Sequence, residues 1–230
     1  MAKTTPQRRK QQQTRETNWL VIGGLIALVV VVFGGLLYLA LRPSSVEPVQ
    51  TLAEYCAANS DRCAFSGEEN APVKMIEVSD FGCPHCQSFH ADTAEALREQ
   101  YVVPGTMRWV ALPYALSTTT VPAAAAAMCA NEQDSYFEFA DALFAIEPVE
   151  DRITPEGYEQ AAGTVGLDLD QFGSCMDDGR YISIVNSNRD AARDNQVSGT
   201  PTFFLNDETL SGAQPLAAFS QVITSLLNAQ

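Results

Sequence analysis

Phe81-Gly82-Cys83-Pro84-His85-Cys86 lies between an apolar run, Val73 to Val78, and a helix-like run, Gln87 to Tyr101. Two cysteines separated by two residues, at the start of a helix that follows a strand, read as a redox dithiol: one sulfur attacks and the other resolves. Cys83 is the expected attacking sulfur, because a helix N-terminus presents unpaired N–H groups and a positive dipole end that favour thiolate over thiol. His85 can add a donor or a positive charge to the same anion. Each unit by which the thiolate pKa falls below ambient pH stabilises the reduced form by about 1.4 kcal/mol, or roughly 30 mV of oxidising power. A pKa of about 4 would give about 4 kcal/mol at pH 7, so that the disulfide becomes a donor.

Two other uses of the pair are disfavoured. Half of a zinc site would need further ligands, yet the chain has two histidines, His85 and His90, and no second close cysteine pair, so no metal is expected. A purely structural disulfide across two residues at a helix start would be strained.

The preceding run contains Glu77 amid Met75, Ile76 and Val78. A strand apolar on both faces belongs at the centre of a sheet. Glu77 is then either a carboxylate reaching solvent at a strand edge or a buried acid near Cys86 that takes or gives its proton, with burial raising its pKa towards that task. The following helix puts Cys86, Phe89, Thr93 and Leu97 on one face, so Cys86 is the buried, resolving sulfur. His90 reads as a solvated or packing residue rather than a ligand. Met107 to Leu112 reads as the next strand, ended by Pro113.

Tyr114 to Gln196 carries helical signals: the alanine-rich Ala123 to Ala130, the stripe Tyr136, Phe137, Ala140 and Phe144, the start Thr154-Pro155-Glu156, and Leu167, Leu169 and Phe172. Thr200-Pro201 then opens a strand, Thr202 to Leu205. The small trans preference of an X-Pro bond lets a folded protein hold it cis, and a trans strand-initiating proline is the alternative. A turn at Asn206-Asp207, a last strand and a helix with the stripe Leu216, Phe219, Ile223 and Leu226 complete the chain.

The formal charge of −14 hides an asymmetry. Residues 1–18 carry five Lys or Arg against Glu16 alone, whereas from Pro43 onward eight Lys or Arg face 27 Asp or Glu. So acidic a domain is not expected to bind nucleic acid. The basic tail, 1–18, lacks apolar periodicity and is expected to be disordered and cytoplasmic. Trp19 to Leu41 is 23 residues without a charge, long enough to cross a bilayer, with Trp19 and Tyr38 near its ends. A cleaved signal peptide shares the basic flank and apolar core, but the length of the run and the bulk of Tyr38 and Leu39 favour an uncleaved anchor. The basic flank belongs inside, which places Arg42 to Gln230 outside the cytoplasm. Residues 42–70 read as a linker, rich in Ser and Pro over Pro43 to Gln50, followed by a short helix or turn in which Cys56 and Cys63 are close enough to bridge.

Asn70 to Cys86 resembles the active-site segment of the DsbA family of thiol-disulfide oxidoreductases, especially its membrane-anchored bacterial branch. Gly199-Thr200-Pro201-Thr202-Phe203-Phe204-Leu205-Asn206 resembles the family's cis-proline strand, and Ser211-Gly212-Ala213-Gln214-Pro215 its last turn. The resemblance covers roughly residues 70–230. It implies a thioredoxin fold, α/β, over residues 71–230, with an inserted helical subdomain at about 114–196, here preceded by one transmembrane helix. Glu77 matches the family's buried acid, and Thr200, where several relatives carry valine, fills the position that tunes the sulfur. Cys129 and Cys175 sit in contexts similar to the family's insertion cysteines. Six cysteines allow 15 pairings; with Cys83 and Cys86 as the active pair, the expected structural bonds are Cys129 with Cys175 and Cys56 with Cys63.

The resemblance implies an extracytoplasmic enzyme that donates the Cys83–Cys86 disulfide to reduced secreted or membrane proteins, with no bound cofactor. It also implies a quinone-linked membrane oxidase of the DsbB or VKOR-like type to restore the disulfide, both held at one membrane. The Pro84-His85 pair favours the oxidant. The alternatives are the same fold run as a membrane-anchored reductase or isomerase, and a redox-independent chaperone or binding module with its groove beside Pro201.

Overall fold

The computed structural model describes residues 19–41 and 50–229. The basic tail and most of the expected linker, 42–49, lie outside the described residues. The chain divides into two compact units, Met1–Pro48 and Val49–Gln230. In the first, Trp19–Leu41 forms one uncharged α-helix of 23 residues, α1. Among the residues whose side chains are described, no helix is long and apolar enough to cross a membrane; within α1 that description is unbroken only over 27–38. The expected span therefore rests on its sequence and its backbone helix.

The second unit is built on a five-stranded sheet in the order β1 (Ala64–Ser66), β3 (Met107–Pro113), β2 (Val73–Ser79), β4 (Thr202–Leu205), β5 (Glu208–Ser211). The central β2 runs parallel to β3 and antiparallel to β4, and of its side chains only Lys74 is exposed. This is where a strand apolar on both faces has to lie. The edge strand β1, antiparallel to β3, is three residues long, too short for an alternating pattern to announce it. Asn206 makes the β4–β5 turn with φ 50°, and its Oδ1 accepts the Lys74 N–H at 2.8 Å, joining the turn to β2.

Alternation along β2 sends Met75 and Glu77 to one face and Ile76 and Val78 to the other. On the first face Met75, Trp109 and Phe203 pack against Phe89, from the helix after the dithiol, and against Phe219 and Ile223 of the C-terminal helix, Leu216–Asn228. Phe89 is the centre of this layer, its ring 4.5 Å from Phe203 and 5.6 Å from Phe219. The other face is closed by α2 (Leu52–Ala58) and by the helix Ile182–Asp194, through Leu52, Cys56 and Ala192.

Cys56 and Cys63 are disulfide-bonded between α2 and the start of β1. Buried Asn188 locks this corner: its Nδ2 donates to the carbonyls of Arg62 and Pro113 at 3.0 and 3.1 Å, and its Oδ1 accepts from the Tyr55 hydroxyl at 2.8 Å. The segment read as a linker beyond residue 50 thus forms part of the second layer of the domain.

Between β3 and β4 lies a helical insertion. Its central helix, Val121–Asn131, buries Ala123 to Ala130, and these small side chains admit three neighbouring helices, Tyr136–Phe144, Leu169–Asp178 and Ile182–Asp194, at close range. A disulfide between Cys129 and Cys175 joins the central helix to Leu169–Asp178.

Candidate active site

The loop leaving β2 is organised by Asp80, which is buried. Its Oδ1 accepts the Gly82 N–H at 2.6 Å, and its Oδ2 accepts the Thr120 hydroxyl at 2.6 Å and the Leu116 N–H. Gly82 is required by space: a Cβ there would stand 2.6 Å from Thr120 Cγ2. Cys83 follows as the N-cap of Pro84–Phe89, its N–H donating to Asp80 O at 3.0 Å and its carbonyl accepting from Gln87 at 3.2 Å. The helix continues to residue 102 with π-helical turns at His90–Ala94 and Arg98–Val102, and buries Cys86, Phe89, Thr93 and Leu97.

Both active-site cysteines are free thiols; Cys83 is 8% exposed and Cys86 not at all. The Thr200–Pro201 peptide is cis, and the Thr200 carbonyl accepts from Cys83 Sγ at 3.4 Å. The Thr200 hydroxyl is buried beside the two sulfurs.

The environment separates the two thiols. Cys83 is brought down to about 5, first by hydrogen bonding from Cys86; burial opposes this, and the Thr200 hydroxyl and the N–H groups of Cys86 and His85 add to it. Cys86 is pushed far up by burial and then by the bond to and charge of Cys83, against a weak pull from the Asp80 N–H at 3.5 Å. One sulfur is therefore held as an anion and the other, more deeply buried, as a thiol. Pro84 and His85 are exposed. His85 acts on Cys83 as a donor, through its backbone N–H.

Glu77 is buried, and its carboxylate is bonded to groups other than the cysteines. It accepts from Ser79 Oγ, from Trp109 Nε1 at 2.9 Å and from His90 Nε2 at 3.0 Å, and makes no hydrogen bond to Cys86. The direct exchange of a proton between Glu77 and Cys86 expected from the sequence has no contact to carry it. His90 is buried, stacked on Phe144 at 4.2 Å, with its Nδ1 2.9 Å from Asp141 Oδ1; Arg98 donates to the other Asp141 oxygen at 2.8 Å. Burial alone would lower the His90 pKa, but Glu77 and Asp141 raise it to about 9, so at neutral pH it is a cation between two carboxylates. Of the solvated and packing roles expected for His90, the structure has the packing one, with an ionised ring. The signal was present in the spacing, since Cys86, His90, Thr93 and Leu97 also recur at steps of four and three.

A family model described as thioredoxin matches residues 60–225. The chain belongs to the thioredoxin family. Within it, the chain is similar to proteins named for disulfide bond formation and to DsbA structures. It is 24% identical over 201 residues to the probable disulfide bond formation protein D of Bacillus anthracis, covering 84% of this chain and 90% of that protein. The crystal structure of α-DsbA1 from Wolbachia pipientis matches with a TM-score of 0.65 and 25% identity, over 73% of this chain and 92% of that one. Identity is 34% over 169 residues with Na(+)/H(+) antiporter NhaA 3 of Salinispora tropica, over 72% of this chain; the chain spans only 25% of that relative's length.

Proposed function

We propose that this thioredoxin-family chain is a membrane-anchored, extracytoplasmic oxidant that passes the Cys83–Cys86 disulfide to reduced secreted or membrane proteins. The observation that carries the direction is the asymmetry of the pair, a low-pKa Cys83 that keeps slight exposure and a fully buried Cys86 held as a thiol. A substrate thiolate attacks Cys83 Sγ, the bond to Cys86 breaks, and Cys86 takes a proton. A second substrate thiolate then attacks the substrate sulfur of the mixed disulfide and expels Cys83, which leaves readily because its thiolate is stable. Two electrons pass from substrate to dithiol, and the substrate strand pairs alongside Thr200-Pro201.

The dithiol is reoxidised by a quinone-linked membrane oxidase of the DsbB or VKOR-like type, with both partners concentrated in one membrane. Anchoring is supported by α1, whose 23 uncharged residues would reach about 34 Å, enough to cross the hydrocarbon core. Leu25, Val31, Phe33 and Leu36 along it are exposed.

Equilibrating the full chain with glutathione tests the direction. A potential near about −120 mV supports the oxidant, whereas one near about −270 mV, the range of thioredoxin, makes the chain a reductase. Cys83→Ser should abolish function; retention would favour a binding module. Protease added to intact cells should remove the domain, and a protected domain would overturn the topology.

A further inference from the structure

Arg152 ends the short helix Val149–Arg152 of the insertion, and its side chain is wholly buried. Its guanidinium bonds only to backbone carbonyls: Nε and Nη2 donate to Ile146 O at 3.1 and 2.9 Å, and Nη1 donates to Phe81 O at 3.1 Å. Its centre lies 5.6 Å from the Phe144 ring centroid. Among the described residues it forms no ion pair. The carboxylate with most influence on it, Glu147, is exposed and accepts from Gln87 Nε2 at 2.8 Å; the adjoining Asp151 is exposed as well.

A guanidinium stays protonated even when burial lowers its pKa, and an unmatched buried charge is costly. One site nearby changes its charge. Phe81, whose carbonyl Arg152 holds, is two residues from Cys83 and packs in the same buried cluster as both cysteines. The oxidised pair is neutral, and the reduced pair carries a thiolate.

We propose that Arg152 is a positioning residue whose counter-charge is the reduced active-site pair: it fixes the Phe81 carbonyl beside the cysteines and favours dithiol over disulfide. This rests on the reading of Cys83 and Cys86 as the redox centre. When a substrate dithiol reduces the pair, the Cys83–Cys86 bond breaks and a substrate disulfide forms. Of the two protons released, one remains on Cys86 and one goes to solvent, leaving an anion at Cys83. The buried cation then has its partner.

The test uses the full chain in detergent, as wild type, Arg152→Gln and Arg152→Lys. Three quantities are read: the glutathione equilibrium, the Cys83 pKa from thiolate absorbance, and the urea stability of both redox forms. Arg152→Gln should lower the equilibrium constant for reduction about tenfold, which is roughly 30 mV, and raise the Cys83 pKa by about one unit. It should also destabilise the reduced form more than the oxidised form. Arg152→Lys, which keeps the charge, should retain most of the wild-type constant. Unchanged constants in Arg152→Gln, or equal losses in the Gln and Lys variants, or equal destabilisation of both redox forms, would overturn the proposal. If Arg152→Gln does not fold, Arg152→Lys decides by itself: a rise of about one unit or more in the Cys83 pKa refutes a role through charge, and a smaller one upholds it. A wild-type potential in the thioredoxin range would sink the oxidant reading but leave the difference between variants as the test of Arg152.

Discussion

Lowering the pH should remove an advantage that the reduced protein holds over the oxidised one. The Cys83 pKa is depressed from 9.0 to about 5 in the folded dithiol. A depressed pKa contributes stability that is fully present above the unfolded value and is lost as pH falls through the folded value. At pH 7 the folded thiol is ionised and the unfolded one is not, over about two units, so the thiolate contributes about 2.7 kcal/mol to the reduced form. Below about pH 4 both are protonated and the contribution vanishes. Cys86 is held as a thiol throughout this range, because its pKa is raised, so the pH dependence belongs to Cys83.

The disulfide form lacks this group, which makes it the control. Urea unfolding of both redox forms should show their stability difference shrinking by about 2.7 kcal/mol between ~pH 7 and ~pH 4, mainly above pH 5. Over about pH 5 to 8, the constant for reduction by glutathione should rise about tenfold per unit, because reduction then releases one proton. Thiolate absorbance gives the pKa directly. Thr200→Val, which removes a buried hydroxyl donor beside the sulfurs, should raise the pKa and flatten the slope at its acid end. A Cys83 pKa near 8 or above, or redox forms whose stabilities run parallel with pH, would refute the reasoning.

Three further outcomes are expected. His90 has its pKa raised from 6.5 to about 9, so it contributes stability present below about 6.5 and lost as pH rises through 9; urea unfolding of the oxidised protein should lose about 3 kcal/mol over that window, and His90→Phe should abolish the slope. Replacing Cys129 and Cys175 by Ala removes a bond spanning 46 residues and should cost about 4 kcal/mol in the chain-entropy account, measured by denaturation with the active pair unchanged. Asn188→Ala leaves two carbonyls and the Tyr55 hydroxyl without their partner and should cost about 1–3 kcal/mol, with the Cys83 pKa unmoved.

The parts of the molecule legible in the sequence are those whose signals are local. The dithiol at a strand-to-helix junction, the doubly apolar β2, the strand opened by Thr200-Pro201 and the amphipathic C-terminal helix are each decided within a window of ten or fifteen residues, where dihedral preference and periodicity act. The three-residue β1 falls below that resolution. The cover formed by α2 depends on Asn188, 126 residues from Arg62, whose single amide joins three groups that no local pattern relates.

The same distinction explains why the electrostatics of the site were less legible than its sulfurs. The position of Glu77 on β2 follows from alternation, but its chemistry depends on His90, and the charge of His90 depends on Asp141, 51 residues further along on an inserted helix. Arg152 reaches Phe81 across 71 residues of chain. In each case the deciding partner is delivered by the insertion as it folds over the first turns of the active-site helix. A thioredoxin-like sheet and helix place the two cysteines together with Glu77 and His90, and the insertion adds Asp141 and Arg152. Changes confined to the insertion, such as those at Asp141 and Arg152, should therefore alter the protonation of the site while leaving the Cys83-Pro84-His85-Cys86 motif unchanged.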